Sequence, residues 1–268
     1  MTLTLIGLGL GDAKDITLKG KAAIEQADII FLEHYTSILG CSERELEKEY
    51  GKPIILADRD LVEKRAEEIL EPAKTKNVCF LVVGDPFGAT THADLYLRAK
   101  DAGIQVKVIH NASILNAVGI VGLELYKYGK TTSIVFPEEG WEVQTHYDAI
   151  KENLERGLHT LCLLDIKIKE ARKEDLKQGR ENPLKPRFMS VNEALRNLLS
   201  IEEKRQENIV TQDTLVVGVA RIGQESQLIR AGTVKELLDT DFGAPLHSLI
   251  IPGKLHFIEE EMIEQWKQ

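Results

Sequence analysis

The sequence has little of what marks secreted, membrane-spanning or metal-binding proteins. Three of its 268 residues are cysteines, and they form no CxxC pair or other metal-ligand spacing. No apolar run reaches the ~20 residues that a helix needs to span a bilayer, and the N-terminus lacks the basic and apolar regions of a secretory signal. These absences predict a cytoplasmic protein that begins near Met1, keeps its thiols reduced, holds no metal and does not enter a membrane.

Common catalytic motifs are missing as well. The sequence contains no HExxH, no GxSxG and no phosphate-binding P-loop, which argues against metal-dependent, acyl-transfer and nucleotide-hydrolysis chemistry. Its seven histidines are scattered without ligand spacing, and most of them are predicted to be structural. The sequence alone therefore names no catalytic side chain.

Acidic residues outnumber basic ones by 43 to 34, so the formal charge is −9. A surface of this sign repels phosphate backbones and anionic lipids, and we expect no nucleic-acid partner. The exception is a strongly charged, net basic stretch at 166–187. This stretch is interpreted either as a solvated surface segment or as a docking site for an acidic partner.

Apolar and helical patterns alternate along the chain and predict an α/β fold with two domains, 1–111 and 112–268. The continuous apolar run 78–83 is typical of a central strand of a parallel sheet. For the first domain the patterns predict strands at 3–6, 29–32, 53–56, 78–83 and 105–109, and helices at 17–27, 42–50, 61–75 and 92–102. For the second they predict an apolar helical segment at 112–125, strands at 131–136, 158–164, 214–220 and 246–251, and helices at 144–156 and 190–204.

The first strand runs into the glycine-rich segment Gly7-Leu-Gly-Leu-Gly-Asp12. A dinucleotide site is one interpretation, because glycines let a backbone approach a pyrophosphate, and Glu33 stands where a ribose-binding carboxylate is expected. Asp12 opposes it, since the fingerprint needs a glycine at that position and a carboxylate would repel the pyrophosphate. A tight strand-to-helix turn without a ligand is the competing interpretation.

A second glycine segment, Gly84-Asp-Pro-Phe-Gly88, follows the strongest predicted strand. Ligands of open α/β sheets bind beyond the carboxyl ends of such strands, so a small-molecule site is expected here. Asp85 can accept hydrogen bonds from a ligand, and Gly88 lets main chain come close to it. Plain turn chemistry would use the same residues.

Several blocks together resemble the diphthine synthase family, within the tetrapyrrole-methylase-like methyltransferases. The resemblance spans nearly the whole chain. Leu10 stands where the wider group usually has a proline, which is typical of diphthine synthases and counts against a corrin or porphyrin substrate. The blocks are Gly7–Asp12, Asp15-Ile-Thr17, Tyr35-Thr-Ser37, Gly84–His92, His110-Asn-Ala-Ser-Ile114, Val118-Gly119 with Gly122-Leu123, His159–Ile166 and Leu246–Gly253.

The resemblance implies two α/β domains, the first with a mainly parallel sheet and the second with a mixed sheet, and S-adenosyl-L-methionine in the cleft between them. It implies a homodimer that methylates the amino-carboxypropyl-modified histidine of translation elongation factor 2, giving S-adenosyl-L-homocysteine. The charged stretch at 166–187 resembles that of the eukaryotic type of diphthine synthase. This type transfers four methyl groups, the last of which forms the methyl ester. The cofactor contacts carried over are Leu10, Asp85, Gly88, Ser113, Ile114, Leu164, Arg221 and Leu246, with His247 as a weaker candidate.

Three other functions stay open at this point. The first is a methyltransferase that acts on a small tetrapyrrole, and the second is a nicotinamide-dependent oxidoreductase. The third is a binding module without catalysis. Binding of S-adenosylmethionine distinguishes the methyltransferases from the other two.

Overall fold

The computed structural model describes residues 1–138, 140, 143–168 and 186–267. The chain divides into two compact units. The first contains Met1–Ala117 with Ile222–Glu225, and the second contains Val118–Arg221 with Ser226–Gln268. As a boundary between domains, the predicted division at residue 111 stays a prediction.

The first unit contains a five-stranded sheet in which all pairs are parallel, in the order β3-β2-β4-β1-β5. The apolar run at 78–83 forms most of β4, the middle strand, which is buried from Val78 to Val82. The predictions of a mainly parallel sheet and of its central strand are confirmed. The strands are β1 (Thr2–Gly7), β2 (Ile29–Glu33), β3 (Ile55–Ala57), β4 (Asn77–Val82) and β5 (Gln105–Ile109).

Helices separate these strands, and local sequence signals set their ends. Ser42 and Glu45 form a capping box at the start of α2, and Gly51 ends that helix with a φ of 66° that favours glycine. The helices are α1 (Leu18–Glu25), α2 (Glu43–Tyr50), α3 (Arg59–Glu63), α4 (Glu67–Ala73), α5 (Ala93–Asp101) and α6 (Ile114–Ala117), with a 3-10 turn at Ala13–Asp15.

The second unit contains a mixed sheet in the order β11-β10-β12-β7-β6, in which only the β6–β7 pair is parallel. The prediction of a mixed sheet is confirmed. Its strands are β6 (Thr132–Ile134), β7 (Thr160–Leu164), β10 (Leu215–Ala220), β11 (Leu228–Thr233) and β12 (His247–Ile251), and a separate antiparallel ribbon joins β8 (Ile166–Lys167) to β9 (Arg187–Phe188). The helices are α7 (Thr145–Glu155), α8 (Val191–Arg205), α9 (Val234–Leu237) and α10 (Phe257–Glu264), with 3-10 turns at Val118–Val121 and Leu125–Lys127.

Two of the predicted helical stretches differ from the structure in their extent. The stretch 61–75 is two helices, α3 and α4, because the chain turns at 64–66 while apolar residues on both sides of the turn stay buried. The stretch 112–125 contains the short α6 and the 3-10 turn at Val118–Val121, which Gly122 ends with a φ of 91°, and a second 3-10 turn begins at Leu125. The elements β11, α9 and α10 were not predicted, because 228–237 and 257–264 mix charged and apolar residues, whereas the apolar strand β12 between them was predicted.

Other predictions can be checked on the described residues. Cys79 and Cys162 lie in β4 and β7 with free thiols that are 2% and 0% exposed, as expected for cysteines used as small apolar residues. No helix within the described part of the chain is long and apolar enough to cross a membrane. Most of the basic stretch, 169–185, lies outside the described residues, so its predicted role is not addressed.

Candidate functional site

The residues predicted to bind the cofactor fall into two groups, one in each unit. The group in the first unit follows β1, β4 and β5, at the carboxyl edge of the parallel sheet, where small-molecule sites of such sheets lie. It consists of Leu10, Asp85, Gly88, Ser113 and Ile114. The group in the second unit consists of Leu164, Arg221, Leu246 and His247.

Glycines bring the loops of this edge into direct contact. A Cβ on Gly7 would lie 2.6 Å from the carbonyl oxygen of Gly84 and 2.8 Å from the Cβ of Asn111. Gly84 also exchanges two backbone hydrogen bonds with Gly9, with N–O distances of 3.2 and 2.7 Å. Both glycines have left-handed φ values. The first glycine segment is therefore needed for loop packing.

Acidic side chains beside these glycines are used inside the protein. The Lys14 amide donates to the Asp12 carboxylate over 2.7 Å, and the Gly11 amide donates to the Asp15 carboxylate over the same distance. Glu33, the candidate ribose ligand of the dinucleotide interpretation, is 1% exposed and accepts three hydrogen bonds of 2.6–2.7 Å within its own turn. The dinucleotide interpretation loses its main support, because this carboxylate does not face a ligand.

Asp85 is the hub of the candidate site in the first unit. Its Oδ1 accepts a hydrogen bond from the Phe87 amide over 2.9 Å. Its Oδ2 lies 2.8 Å from Nδ1 of His110 and accepts from the Asn111 amide over 3.2 Å. The Asp85 side chain is 15% exposed. The carboxylate therefore holds the loop after β4 against the loop after β5, and its predicted contact with the cofactor stays a prediction.

Gly88 and Ser113 are adjacent in space. A Cβ on Gly88 would lie 2.8 Å from both Cβ and Oγ of Ser113, so any side chain at position 88 would displace the serine. Ser113 is 6% exposed, and its amide donates to Asn116 Oδ1 over 2.8 Å at the start of α6, where Ile114 is half-buried. The structure thus brings Asp85, Gly88 and Ser113 together, as the predicted site requires.

His92 is a buried residue that contacts the loop after β4. The residue is fully buried, and its Nδ1 lies 3.1 Å from the carbonyl oxygen of Pro86, to which it donates. Burial lowers the pKa of this imidazole, so the ring is neutral. Its Nε2 has no hydrogen-bond partner within the described residues, and the ring packs against Phe80 and Tyr35. The expectation that most histidines are structural fits this residue.

In the second unit, Arg221 connects three loop segments. The residue has a left-handed φ of 53°, and its amide donates to the Leu246 carbonyl over 2.8 Å. Its guanidinium donates to main-chain oxygens of Ser226, Phe242 and Ala244. The guanidinium is hydrogen-bonded within the protein. The predicted contact between Arg221 and the cofactor therefore has only the backbone of Arg221 to use.

The other members of this group lie nearby in the same unit. Leu164 ends β7 and is 8% exposed, and Leu246 directly precedes β12. His247 uses both ring nitrogens, since Nδ1 accepts from the Val191 amide over 3.4 Å and Nε2 donates to the Ala244 carbonyl over 3.0 Å. A cofactor contact through the His247 imidazole is therefore not available in this arrangement, and the remaining contacts stay predictions.

Sequence reasoning did not assign a role to His110, although the residue belongs to a block that carried the resemblance. It lies 25 positions from Asp85, and β4 and β5 are separated by β1, so no local pattern places the two together. The available signal was topological, because both residues follow strands that flank β1.

Among the described residues, no group of three or more His, Cys, Asp or Glu side chains is arranged to hold a metal ion.

Comparisons with known proteins show the family to which the chain belongs. The family model of the tetrapyrrole (corrin/porphyrin) methylases matches residues 2–238. The diphthine methyl ester synthase of Dictyostelium discoideum is 55% identical over 100% of this chain and 98% of its own, and that of Homo sapiens is 52% identical over 97% and 93%. A solved crystal structure of diphthine synthase, 34% identical, covers 100% of this chain and 96% of its own with a TM-score of 0.86.

Proposed function

The chain belongs to the diphthine methyl ester synthase family within the tetrapyrrole methylases, and we propose that it transfers methyl groups from S-adenosylmethionine to elongation factor 2. The acceptor is the histidine that carries an amino-carboxypropyl group, and the step belongs to diphthamide biosynthesis. The observation that carries this proposal is identity above 50% over essentially the full length of diphthine methyl ester synthases from two distant eukaryotes.

We assign the donor site to the residues predicted from the sequence, with Arg221 and His247 taking part through their backbone. The carboxyl edge of the first unit supports this assignment, since the loops at this edge carry a partly exposed carboxylate, Asp85, and the half-buried apolar side chains of Leu10 and Ile114. A ligand with polar amino-acid and ribose groups and a flat aromatic adenine fits such a mixed lining. When bound, S-adenosylmethionine supplies an electrophilic methyl group on a sulfonium.

Methyl transfer of this kind needs no nucleophile from the protein. The acceptor atom attacks the methyl carbon in line, and the protein aligns the two reactants and excludes water. The absence of an acyl-transfer or metal motif in the sequence is consistent with this chemistry. Four transfers are proposed, three to the amine to form a trimethylammonium and one to the carboxylate to form the methyl ester.

The setting of the reaction is also part of the proposal. The enzyme acts in the cytoplasm as a homodimer on a folded protein substrate. The excess of 43 acidic over 34 basic residues suits a protein that discriminates against nucleic acid while it meets a translation factor. Size-exclusion chromatography coupled to light scattering would measure the oligomeric state, and a monomer at micromolar concentration would contradict the homodimer.

The test is methylation of elongation factor 2 that carries the amino-carboxypropyl histidine. We expect a gain of four methyl groups on the peptide that contains this histidine, measured by mass spectrometry after incubation with S-adenosylmethionine. A gain of three would confine the activity to the amine. No gain, with binding of S-adenosylmethionine shown separately by calorimetry, would overturn the substrate, and methylation of a tetrapyrrole in its place would assign the chain to the alternative within its family.

A further inference from the structure

Amine methylation and ester formation differ in their proton balance. An amine attacks a methyl group only as the free base, so the starting ammonium and each ammonium formed by the first two transfers must lose a proton. Three protons leave in the course of the three amine transfers. The carboxylate attacks as an anion, and its transfer releases none. An enzyme that performs both reactions needs a proton acceptor for the first kind only.

Asp85 and His110 have the geometry of an oriented proton acceptor. The His110 Nδ1 lies 2.8 Å from the Asp85 carboxylate, so Nδ1 carries the hydrogen and donates it. The lone pair of the neutral ring then resides on Nε2, at the opposite side of the imidazole. The carboxylate is fixed by the Phe87 and Asn111 amides, which leaves the ring little freedom to adopt the other tautomer.

His110 also differs from the buried histidines in its exposure to solvent. Its side chain is 70% exposed, whereas His92, His159 and His247 are at most 8% exposed. It stands between the end of β5 and Ser113, at the edge of the sheet to which the donor site is assigned. The Phe87 ring, 6.5 Å away, flanks the imidazole, and within the described residues the charged group in contact with it is Asp85.

We propose that His110 is the general base for the amine transfers and that Asp85 holds it in the required tautomer. This inference rests on the proposed function. The His110 Nε2 takes a proton from the substrate ammonium, and the freed nitrogen forms its bond to the methyl carbon as the carbon–sulfur bond breaks and its electron pair stays on sulfur. The imidazolium, stabilised by the Asp85 carboxylate, returns its proton to solvent before the next transfer.

The variant His110→Asn separates this role from loop packing. The asparagine amide can still donate to Asp85 from about the position of Nδ1, but it offers no basic nitrogen in place of Nε2. Two acceptors are compared, elongation factor 2 with the unmethylated amine and the same protein with the amine already trimethylated. We expect the variant to lose about 10²-fold or more in single-turnover rate on the amine, to keep the rate of ester formation and to bind S-adenosylmethionine with unchanged affinity.

His34→Asn is the matched control. His34 follows β2 at the same edge of the sheet and has no carboxylate partner on its ring within the described residues. We expect it to leave both rates unchanged. An equal loss on both acceptors in His110→Asn, or an amine rate that stays unchanged, would overturn the assignment of His110. A wild-type protein that methylates neither acceptor would instead remove the proposed function itself.

Discussion

Two glutamates are completely buried in the described part of the chain, one in each unit, and their surroundings shift their pKa values in opposite directions. Burial raises the pKa of Glu33, although its carboxylate accepts hydrogen bonds from the Tyr35 amide and from the amide and hydroxyl of Thr36. Burial also disfavours the charge of Glu259, but hydrogen bonds led by that from Lys127 outweigh it and lower the pKa to about 2.

The difference lies in the donors. Glu259 accepts from the Lys127 ammonium, from the amides of Glu124 and His256, and from Nε2 of His159 over 2.9 Å. The Gly253 amide donates to the His159 Nδ1, which leaves the hydrogen of that ring on Nε2. A buried carboxylate stabilises the fold when a cation and a full set of donors surround it, and costs stability when the donors are neutral and few.

The largest expected effect comes from Glu259→Gln. Both carboxylate oxygens accept two hydrogen bonds, so the amide NH2 of glutamine would point at donors, and the Lys127 ammonium would lose its counter-ion. Breaking a buried, paired charge typically costs about 3–5 kcal/mol, and we expect a loss of this size in the free energy of unfolding at pH 7. Urea denaturation followed by circular dichroism measures it. Glu49→Gln, which removes the exposed ion pair with Lys21, is the control and should cost at most about 1 kcal/mol.

The pH dependence of the same variant sharpens the comparison. Glu259 has a folded pKa of about 2 against an ordinary value of 4.5, so between these values the unfolded chain takes up a proton that the folded protein does not. The contribution of the ionised Glu259 to the free energy of unfolding is complete above pH 4.5 and declines as the pH falls towards 2. We therefore expect the stability difference between wild type and Glu259→Gln to shrink over this interval. A difference that stays constant from pH 5 to pH 2 would contradict the assignment.

Thr36→Val tests the weaker set of donors in the first unit. The Thr36 hydroxyl donates to one oxygen of Glu33 over 2.6 Å, and valine keeps the shape while it removes this donor. A buried acceptor that loses its partner costs about 1–3 kcal/mol, and we expect a loss within this range together with a further rise in the pKa of Glu33. Thr36→Ser, which keeps the hydroxyl, should retain most of the stability in the same urea experiment.

The two units also differ in how far the sequence predicts them. The parallel sheet follows from continuous apolar runs such as 78–83 and from the β/α alternation, because strands buried on both faces leave a strong signal. The mixed sheet follows in part, since β11 (Leu228–Thr233) contains Arg230 and Gly232 and does not stand out as an apolar run.

The sequence predicts the hydrogen-bond networks of side chains less well than it predicts the strands. The glycine segments located the candidate site, because glycine is required where backbones meet. The side-chain partner of Asp85, His110, lies 25 positions away, and those of Glu259, His159 and Lys127, lie 100 and 132 positions away, so only the folded chain brings them together. Residue type and spacing therefore indicate where a candidate site lies, but not which side chains orient one another within it.

The smallest expected effect comes from Glu33→Gln, the same substitution that is most damaging in the second unit. The glutamine oxygen can keep both backbone amides, and the Thr36 hydroxyl can rotate to accept from the new NH2. The variant should lie within about 1 kcal/mol of wild type at pH 7. Because the folded pKa of Glu33 is raised, wild type loses stability as the pH rises through that pKa, so the variant should gain relative to it from pH 4.5 upwards. Urea midpoints measured from pH 4 to pH 8 test both statements, and a loss as large as that of Glu259→Gln would mean that the Glu33 charge stabilises the fold after all.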